Sequence, residues 1–267
     1  MNLIAVDIGN TNITIALYLK GEEQFIKSIP GQNRVKLTSL FKSAWQKIPI
    51  LKSSKEKKRN GVIVISSVKA AWTKQIEQIV KETTGEKILL IGKDIPFPMD
   101  LSVSEPDKIG TDRVLSAAAA YAVVERAVVV ADFGTAVTID LVDDRGVFCG
   151  GVIFPGFEVS AEALKQSTAQ LPRISVTKPK LPFGQNTADA INCGLYYGAI
   201  STLQEVIRRY AEKIGTWPET VITGAAAKII KDDCEFIDSY VPNLVVRGIA
   251  LAYRKYIEQK SRPLGDT

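Results

Sequence analysis

Two short motifs, DIGNT at residues 7–11 and DFGTA at residues 132–136, constrain this chain more than any other feature. In each, an apolar run enters an Asp-x-Gly-polar turn and leaves into a run that alternates apolar and polar residues. Asp7 and Asp132 lie 125 positions apart in a chain of 267 residues, close to half of its length. That repeat predicts a duplicated domain, with each half donating one acidic, glycine-bearing turn to a shared cleft. The turn chemistry suits phosphate. Glycine lets the backbone approach an anion, hydroxyls and N–H groups donate to it, and the carboxylate holds a metal ion or its waters.

The surrounding periodicity repeats as well. In the first half, strands are predicted at 3–7, 12–18 and 24–29, a helix at 36–46, a strand at 62–66, a helix at 71–83 and a strand at 88–91. Ile13, Ile15 and Leu17 share one face of the second strand, and Ile76, Ile79 and Val80 one side of the second helix. In the second half, strands are predicted at 127–132, 137–141 and 147–154. Helices near 158–170 and from about 187 follow, then a strand at 220–223 and a last amphipathic helix at 244–259. An alanine-rich helix at 114–124 joins the halves as a candidate hinge. The order is that of two tandem α/β domains with mixed sheets, 1–125 and 126–267, and a central cleft.

Composition excludes more than it assigns. Histidine is absent, so acid–base work near neutral pH falls to Asp, Glu, Lys, Tyr or Cys. Cys149, Cys193 and Cys234 form no CxxC pair and read as reduced, packed thiols. The start has no basic leader segment, and no apolar run approaches the roughly 20 residues of a membrane helix, so a cytoplasmic protein without membrane partners is expected. The net charge is +5, and much of the Lys/Arg excess sits in KSSKEKKR at residues 52–59, without aromatics; it reads as a solvated loop, and no nucleic acid is expected. No P-loop, kinase-type glycine loop, HExxH or GxSxG motif occurs.

What remains is an ordered set of short motifs: DIGNT (7–11), EPDKIGTDR (105–113), DFGTAVTID (132–140), GGVIFPG (150–156), GQNT (184–187) and ITGAAA (222–227). In this order they resemble the type III pantothenate kinases, a family of the acetate and sugar kinase/Hsp70/actin superfamily, along nearly the whole chain. The resemblance implies two duplicated actin-like, ribonuclease H-like domains. It implies ATP-dependent phosphorylation of pantothenate to 4′-phosphopantothenate, the first step of coenzyme A biosynthesis. It also implies magnesium, a monovalent cation (potassium or ammonium) and a homodimer, for which the helices near 158–170 and 187–210 offer candidate faces.

Residue roles carry over by position. Asp7 matches the acidic residue that holds magnesium, through water, beside the ATP phosphates; Gly9, Asn10 and Thr11 match the donors of that turn. Gly110, Thr111, Asp112 and Arg113 match the substrate-binding segment, with Asp112 as general base and Arg113 as a clamp for a carboxylate or phosphate. Asp132 matches the monovalent-cation ligand and Thr135 an ATP-contacting hydroxyl. Gly134 and Gly224 allow close backbone approach to the nucleotide. Thr187 matches a substrate-binding threonine and also reads as a helix N-cap. Gly150, Gly151, Pro155 and Gly156 are expected to shape the cleft floor. Ala16, Ala225, Gln185 and the tyrosine-free segment 101–104 depart from the family pattern, while Asp7, Asp112 and Asp132 keep it. Two alternatives share part of these features: another small-molecule kinase of the same superfamily, and a non-catalytic accessory regulator.

Overall fold

The computed structural model describes residues 1–51 and 58–261. Residues 52–57, most of the lysine-rich run, therefore lie outside the described residues. The chain divides into two compact units. The first holds residues 1–99, 105–119 and the C-terminal stretch from 243; the second holds 100–104 and 120–242.

The first unit is built on a five-stranded mixed sheet, ordered β3-β2-β1-β4-β5. The strands are β1 (Leu3–Ile8), β2 (Asn12–Leu19), β3 (Glu22–Pro30), β4 (Val62–Ser67) and β5 (Ile88–Leu90). β1, β2 and β3 form an antiparallel meander, and β4 and β5 add in parallel. The β2–β3 turn is tight because Lys20 and Gly21 both take positive φ, 53° and 93°, a backbone twist that matches paired strands.

Both sheet faces are covered. Ile13, Ile15 and Leu17 pack with Leu37, Phe41 and Trp45 of helix α1 (Arg34–Lys47) and Trp72, Ile76 and Ile79 of α2 (Ala70–Thr84). Ala16 and Tyr18, on the other face of β2, join Leu3, Ala5 and Val64 under Val245, Val246 and Ile249 of α6 (Leu244–Ser261). This is why β1 and β4 read as continuous apolar runs rather than alternating ones.

The second unit repeats the design with the order β10-β9-β6-β7-β8. Its strands are β6 (Val128–Phe133), β7 (Ala136–Val142), β8 (Phe148–Pro155), β9 (Glu219–Thr223) and the two-residue β10 (Ser239–Tyr240). Its core joins Phe133, Val137 and Ile139 to Phe157 of α4 (Phe157–Gln166) and to Tyr196, Leu203 and Ile207 of α5 (Thr187–Ile214). The duplication reaches the pairing register. β2 opens against β3 at Asn12↔Pro30, and β7 opens against β8 at Ala136↔Pro155. Each pair carries one irregularity, at Leu17/Tyr18 and at Leu141/Val142.

Several expectations shift at their edges. Helix α3 (Thr111–Val124) begins at Thr111 rather than 114, so Asp112 falls in its first turn. α4 stops at Gln166, where Ser167 caps it and the Thr168 hydroxyl bonds back to Leu164. Asn186, not Thr187, is the N-cap of α5: its carbonyl oxygen accepts from the Asp189 N–H at 2.9 Å, and its amide donates to the Asp189 carboxylate. No helix among the described residues is long and apolar enough to cross a membrane.

Candidate active site

The first acidic turn is built by strand register. Asp7, at the C-terminal end of β1, lies opposite Thr14 of β2 and Ser66 of β4. The turn after it is closed by backbone bonds: Gly9 N–H donates to the Asn12 carbonyl at 3.1 Å, and Gly31 N–H to the Thr11 carbonyl at 3.1 Å. A side chain completes the fastening. The Lys69 ammonium donates to the Asn10 carbonyl at 3.1 Å and sits 3.4 Å from the centre of the Trp72 ring. That ring packs on Gly31, where any β-carbon would fall 2.1 Å from it. Lys69 is itself held in place: its N–H donates to the Ser67 hydroxyl, and the preceding Val68 N–H to the Ile8 carbonyl.

The same unit brings the start of α3 to this turn. Ser66 is fully buried, and its hydroxyl shares a 2.8 Å hydrogen bond with the Thr111 hydroxyl. Thr111 precedes Asp112, so the strand that flanks Asp7 also anchors the candidate base. Asp112 Oδ1 accepts from the Arg113 N–H at 2.9 Å. Burial nonetheless pushes the Asp112 carboxyl above its usual range, outweighing that bond and the Arg113 charge. Gly110 leaves the space the carboxylate occupies, since a β-carbon there would lie 2.6 Å from Oδ1. The sequence-predicted residues Asp7, Gly9, Asn10, Thr11, Gly110, Thr111, Asp112 and Arg113 thus all belong to the first unit.

Asp132, Gly134, Thr135, Thr187 and Gly224 belong to the second unit. Asp132 is the penultimate residue of β6 as Asp7 is of β1, opposite Thr138 of β7 and Thr223 of β9. The turn bonds recur: Gly134 N–H donates to the Ala136 carbonyl at 3.1 Å, and Gly156 N–H to the Thr135 carbonyl at 3.0 Å. Gly224 takes φ +93°, and a β-carbon there would lie 2.5 Å from Asp132 Oδ1 and 2.5 Å from the Phe133 carbonyl. The loop after β9 is therefore pressed against the acidic turn. Gly156 is packed as closely on Gly134 and Thr135, and Gly151 on Ile139 and Asp140. Thr187 opens α5 directly after its cap.

The atoms of both turns that could ligate a metal ion are oxygens, carboxylate, hydroxyl or carbonyl. Among the described residues no three acidic, cysteine or histidine side chains gather as a metal cage. Magnesium keeps several waters and takes one or two carboxylates beside substrate phosphates, so a single aspartate at each turn fits it and a hard monovalent ion. Ser66, Lys69 and Trp72 escaped the motif reading because they act through tertiary contacts. The one available signal was polar Ser66 ending the apolar run VIVI of β4.

A sequence profile described as type III pantothenate kinase matches residues 3–209. Among curated proteins, a type III pantothenate kinase of Brevibacillus brevis is 32% identical over 256 residues, covering 95% of this chain and 98% of that protein. Another, from Halalkalibacterium halodurans, is 30% identical over 264 residues, covering 96% and 100%. Among solved structures, a conserved Baf family protein from Campylobacter jejuni has a TM-score of 0.59 at 19% identity, over 96% of this chain and 98% of that one. The ethanolamine utilization protein EutJ from Carboxydothermus hydrogenoformans has a TM-score of 0.50 at 15% identity, over 94% and 90%. These likenesses identify the fold as actin-like α/β. With the duplicated acidic turns in place and the profile spanning most of its length, the chain belongs to the type III pantothenate kinase family.

Proposed function

We propose that the protein transfers the γ-phosphoryl group of ATP to the primary hydroxyl of pantothenate, giving 4′-phosphopantothenate and ADP at the start of coenzyme A biosynthesis. Family membership supports the reaction, and the observation that carries it to this chain is Asp112, a half-buried carboxyl that desolvation holds above its usual range, fixed at a helix start beside the Asp7 turn. Phosphoryl transfer asks a protein for positioning and charge neutralisation more than for covalent chemistry.

Each residue group has a task in this reading. The amides and side chains of Asn10 and Thr11 receive the nucleotide phosphates, Gly9 closes the turn so that the backbone can approach them, and Thr135 adds a hydroxyl. Gly134 and Gly224 keep the second turn open to close backbone approach. Asp112 accepts the proton of the attacking hydroxyl; the acceptor oxygen gains charge late in a loose transition state, so a carboxylate suffices as base. Arg113 clamps the pantothenate carboxylate, and Gly110, Thr111 and Thr187 position the acceptor. Magnesium at Asp7 and potassium or ammonium at Asp132 would offset the negative charge of the phosphates. A homodimer in the cytoplasm belongs to the same reading.

The test is ADP release from purified protein with ATP, magnesium, potassium and pantothenate, repeated with sodium in place of potassium. Turnover that needs pantothenate and falls in sodium is expected. Folded protein that releases no ADP, or that responds to another alcohol in a substrate panel, would refute the assignment.

A further inference from the structure

The 2.8 Å hydrogen bond between the Ser66 and Thr111 hydroxyls has a direction, and burial decides it. Ser66 is fully buried, and among the described residues its hydroxyl has no partner other than Thr111. Thr111 is half-buried. Were Thr111 the donor, the Ser66 proton would stand inside the protein without an acceptor, at the full cost of an unmade buried hydrogen bond. With Ser66 as donor that cost disappears. Ser66 therefore donates, and Thr111 Oγ1 accepts.

The other branch of Thr111 is placed as well. A β-carbon on Gly92 would lie 3.9 Å from its methyl group, so methyl and hydroxyl face Gly92 and Ser66 respectively. A β-branched side chain is stiff at χ1, and these two neighbours select one rotamer. A hydroxyl carries one proton besides the lone pairs that accept. Among the described residues no acceptor takes the Thr111 proton. It is thus the part of the group left to bind, at the start of α3 and directly before Asp112.

We propose that Ser66 is a positioning residue for the acceptor substrate: by donating to Thr111 it sets the Thr111 hydroxyl as a donor, which selects a carbonyl or carboxylate oxygen and rejects an N–H. This rests on reading residues 110–113 as the acceptor segment. In that reading Asp112 takes the reacting hydroxyl of pantothenate and Arg113 its carboxylate, which leaves the amide carbonyl for Thr111.

Steady-state kinetics of Ser66→Ala, Thr111→Val and the double variant test it, with Thr111→Ser as the conservative control. Thr111→Val keeps the shape and loses the hydroxyl; it is expected to raise KM for pantothenate about tenfold and to leave KM for ATP within about twofold. Ser66→Ala should raise the same KM about threefold, because the Thr111 proton is no longer directed. The double variant should match Thr111→Val alone, since Ser66 acts only through Thr111. Thr111→Ser should stay near the parent. Parent-like KM for pantothenate in Ser66→Ala, even with a lowered melting temperature, would make Ser66 structural and overturn the proposal. So would losses that multiply in the double variant, or a parent-like Thr111→Val, which stays readable should the alanine variant not fold. A parent that phosphorylates a different alcohol would overturn the pantothenate assignment alone, because the same comparison is then made on that alcohol. A folded parent that uses no alcohol would overturn both.

Discussion

For Asp112 as the proposed base, two demands oppose each other. A base must be ionised to act, and burial penalises the ionised form, which is why its carboxyl sits above the ordinary range. The native state therefore binds this proton more tightly than the unfolded chain. Stability contributed by the protonated form is full below the unfolded value and is lost as pH rises through the folded one. Asn at this position carries no charge and can still accept from the Arg113 N–H. Asp112→Asn is thus expected to melt higher than the parent at neutral pH, the gap closing below about pH 3.9. Turnover should fall by roughly 10²–10⁴-fold. In the parent, kcat/KM should drop on acidification with a midpoint above the ordinary aspartate value; a midpoint at or below it would remove Asp112 from the base role. The motif reading reached this residue from the GTDR string, yet its burial and the Ser66–Thr111 anchor were invisible there. The anchor comes from β4, more than forty residues earlier in the chain.

Glycine gives a second contrast at this scale. Gly215 and Gly224 both have positive φ, 77° and 93°, but a β-carbon at Gly215 would meet nothing within 4 Å, whereas at Gly224 it would strike Asp132 and Phe133. Gly215→Ala should cost about 1–2 kcal/mol, the left-handed penalty alone. Gly224→Ala should cost more, because it displaces Asp132 and Phe133, and under the proposed role of Asp132 it should also weaken the response of turnover to potassium. Equal melting temperatures for the two variants would contradict this.

Elements were legible where their own periodicity decided them. The meanders β1–β3 and β6–β8, and helices α2, α5 and α6, follow apolar patterns of period two or near 3.6 that survive into the fold. Elements set by a few hydrogen bonds were not. β10 has two residues and exists because it pairs with β9. The short 3-10 turns at Pro106–Lys108 and Ala226–Ile229 carry no periodic signal. The α5 start falls where its periodicity put it, but the cap moved by one residue: Asn186 accepts from the Asp189 N–H, leaving Thr187 as the first helical residue. Helix packing adds one sharp constraint. Gly248 of α6 lies against α3, and a β-carbon there would fall 2.1 Å from the Leu115 carbonyl. Backbone cannot yield as a side-chain tip can. Gly248→Ala is expected to cost about 2–3 kcal/mol, near the upper end for overpacking, even though alanine is the better helix former. Denaturant unfolding with an unchanged midpoint would show that the two helices can separate without loss.

For the molecule as a whole, the decisive element is the last one. α6 is distant in sequence from β1 and β4, yet Val245, Val246, Ile249 and Ala252 complete the apolar cluster that covers Leu3, Ala5 and Val64. Nothing local announces this: the helix reads as amphipathic, and its apolar face could cover either half. A division of the chain at 125/126 would take that cover from the first unit. Each fully buried aliphatic side chain contributes roughly 1.5–3 kcal/mol, so losing four or five such contacts rivals the whole stability of an ordinary domain, about 5–15 kcal/mol. A chain ended after Pro242 should therefore lose slow hydrogen exchange in β1, β2 and β4, while β6, β7 and β9, whose core is made with α4 and α5, stay protected. Protection that survives in the first sheet would mean that α1 and α2 suffice to hold it. Protection lost in both sheets at once would mean that the two units unfold as one cooperative body, and that the duplicated halves no longer behave as separate folding units.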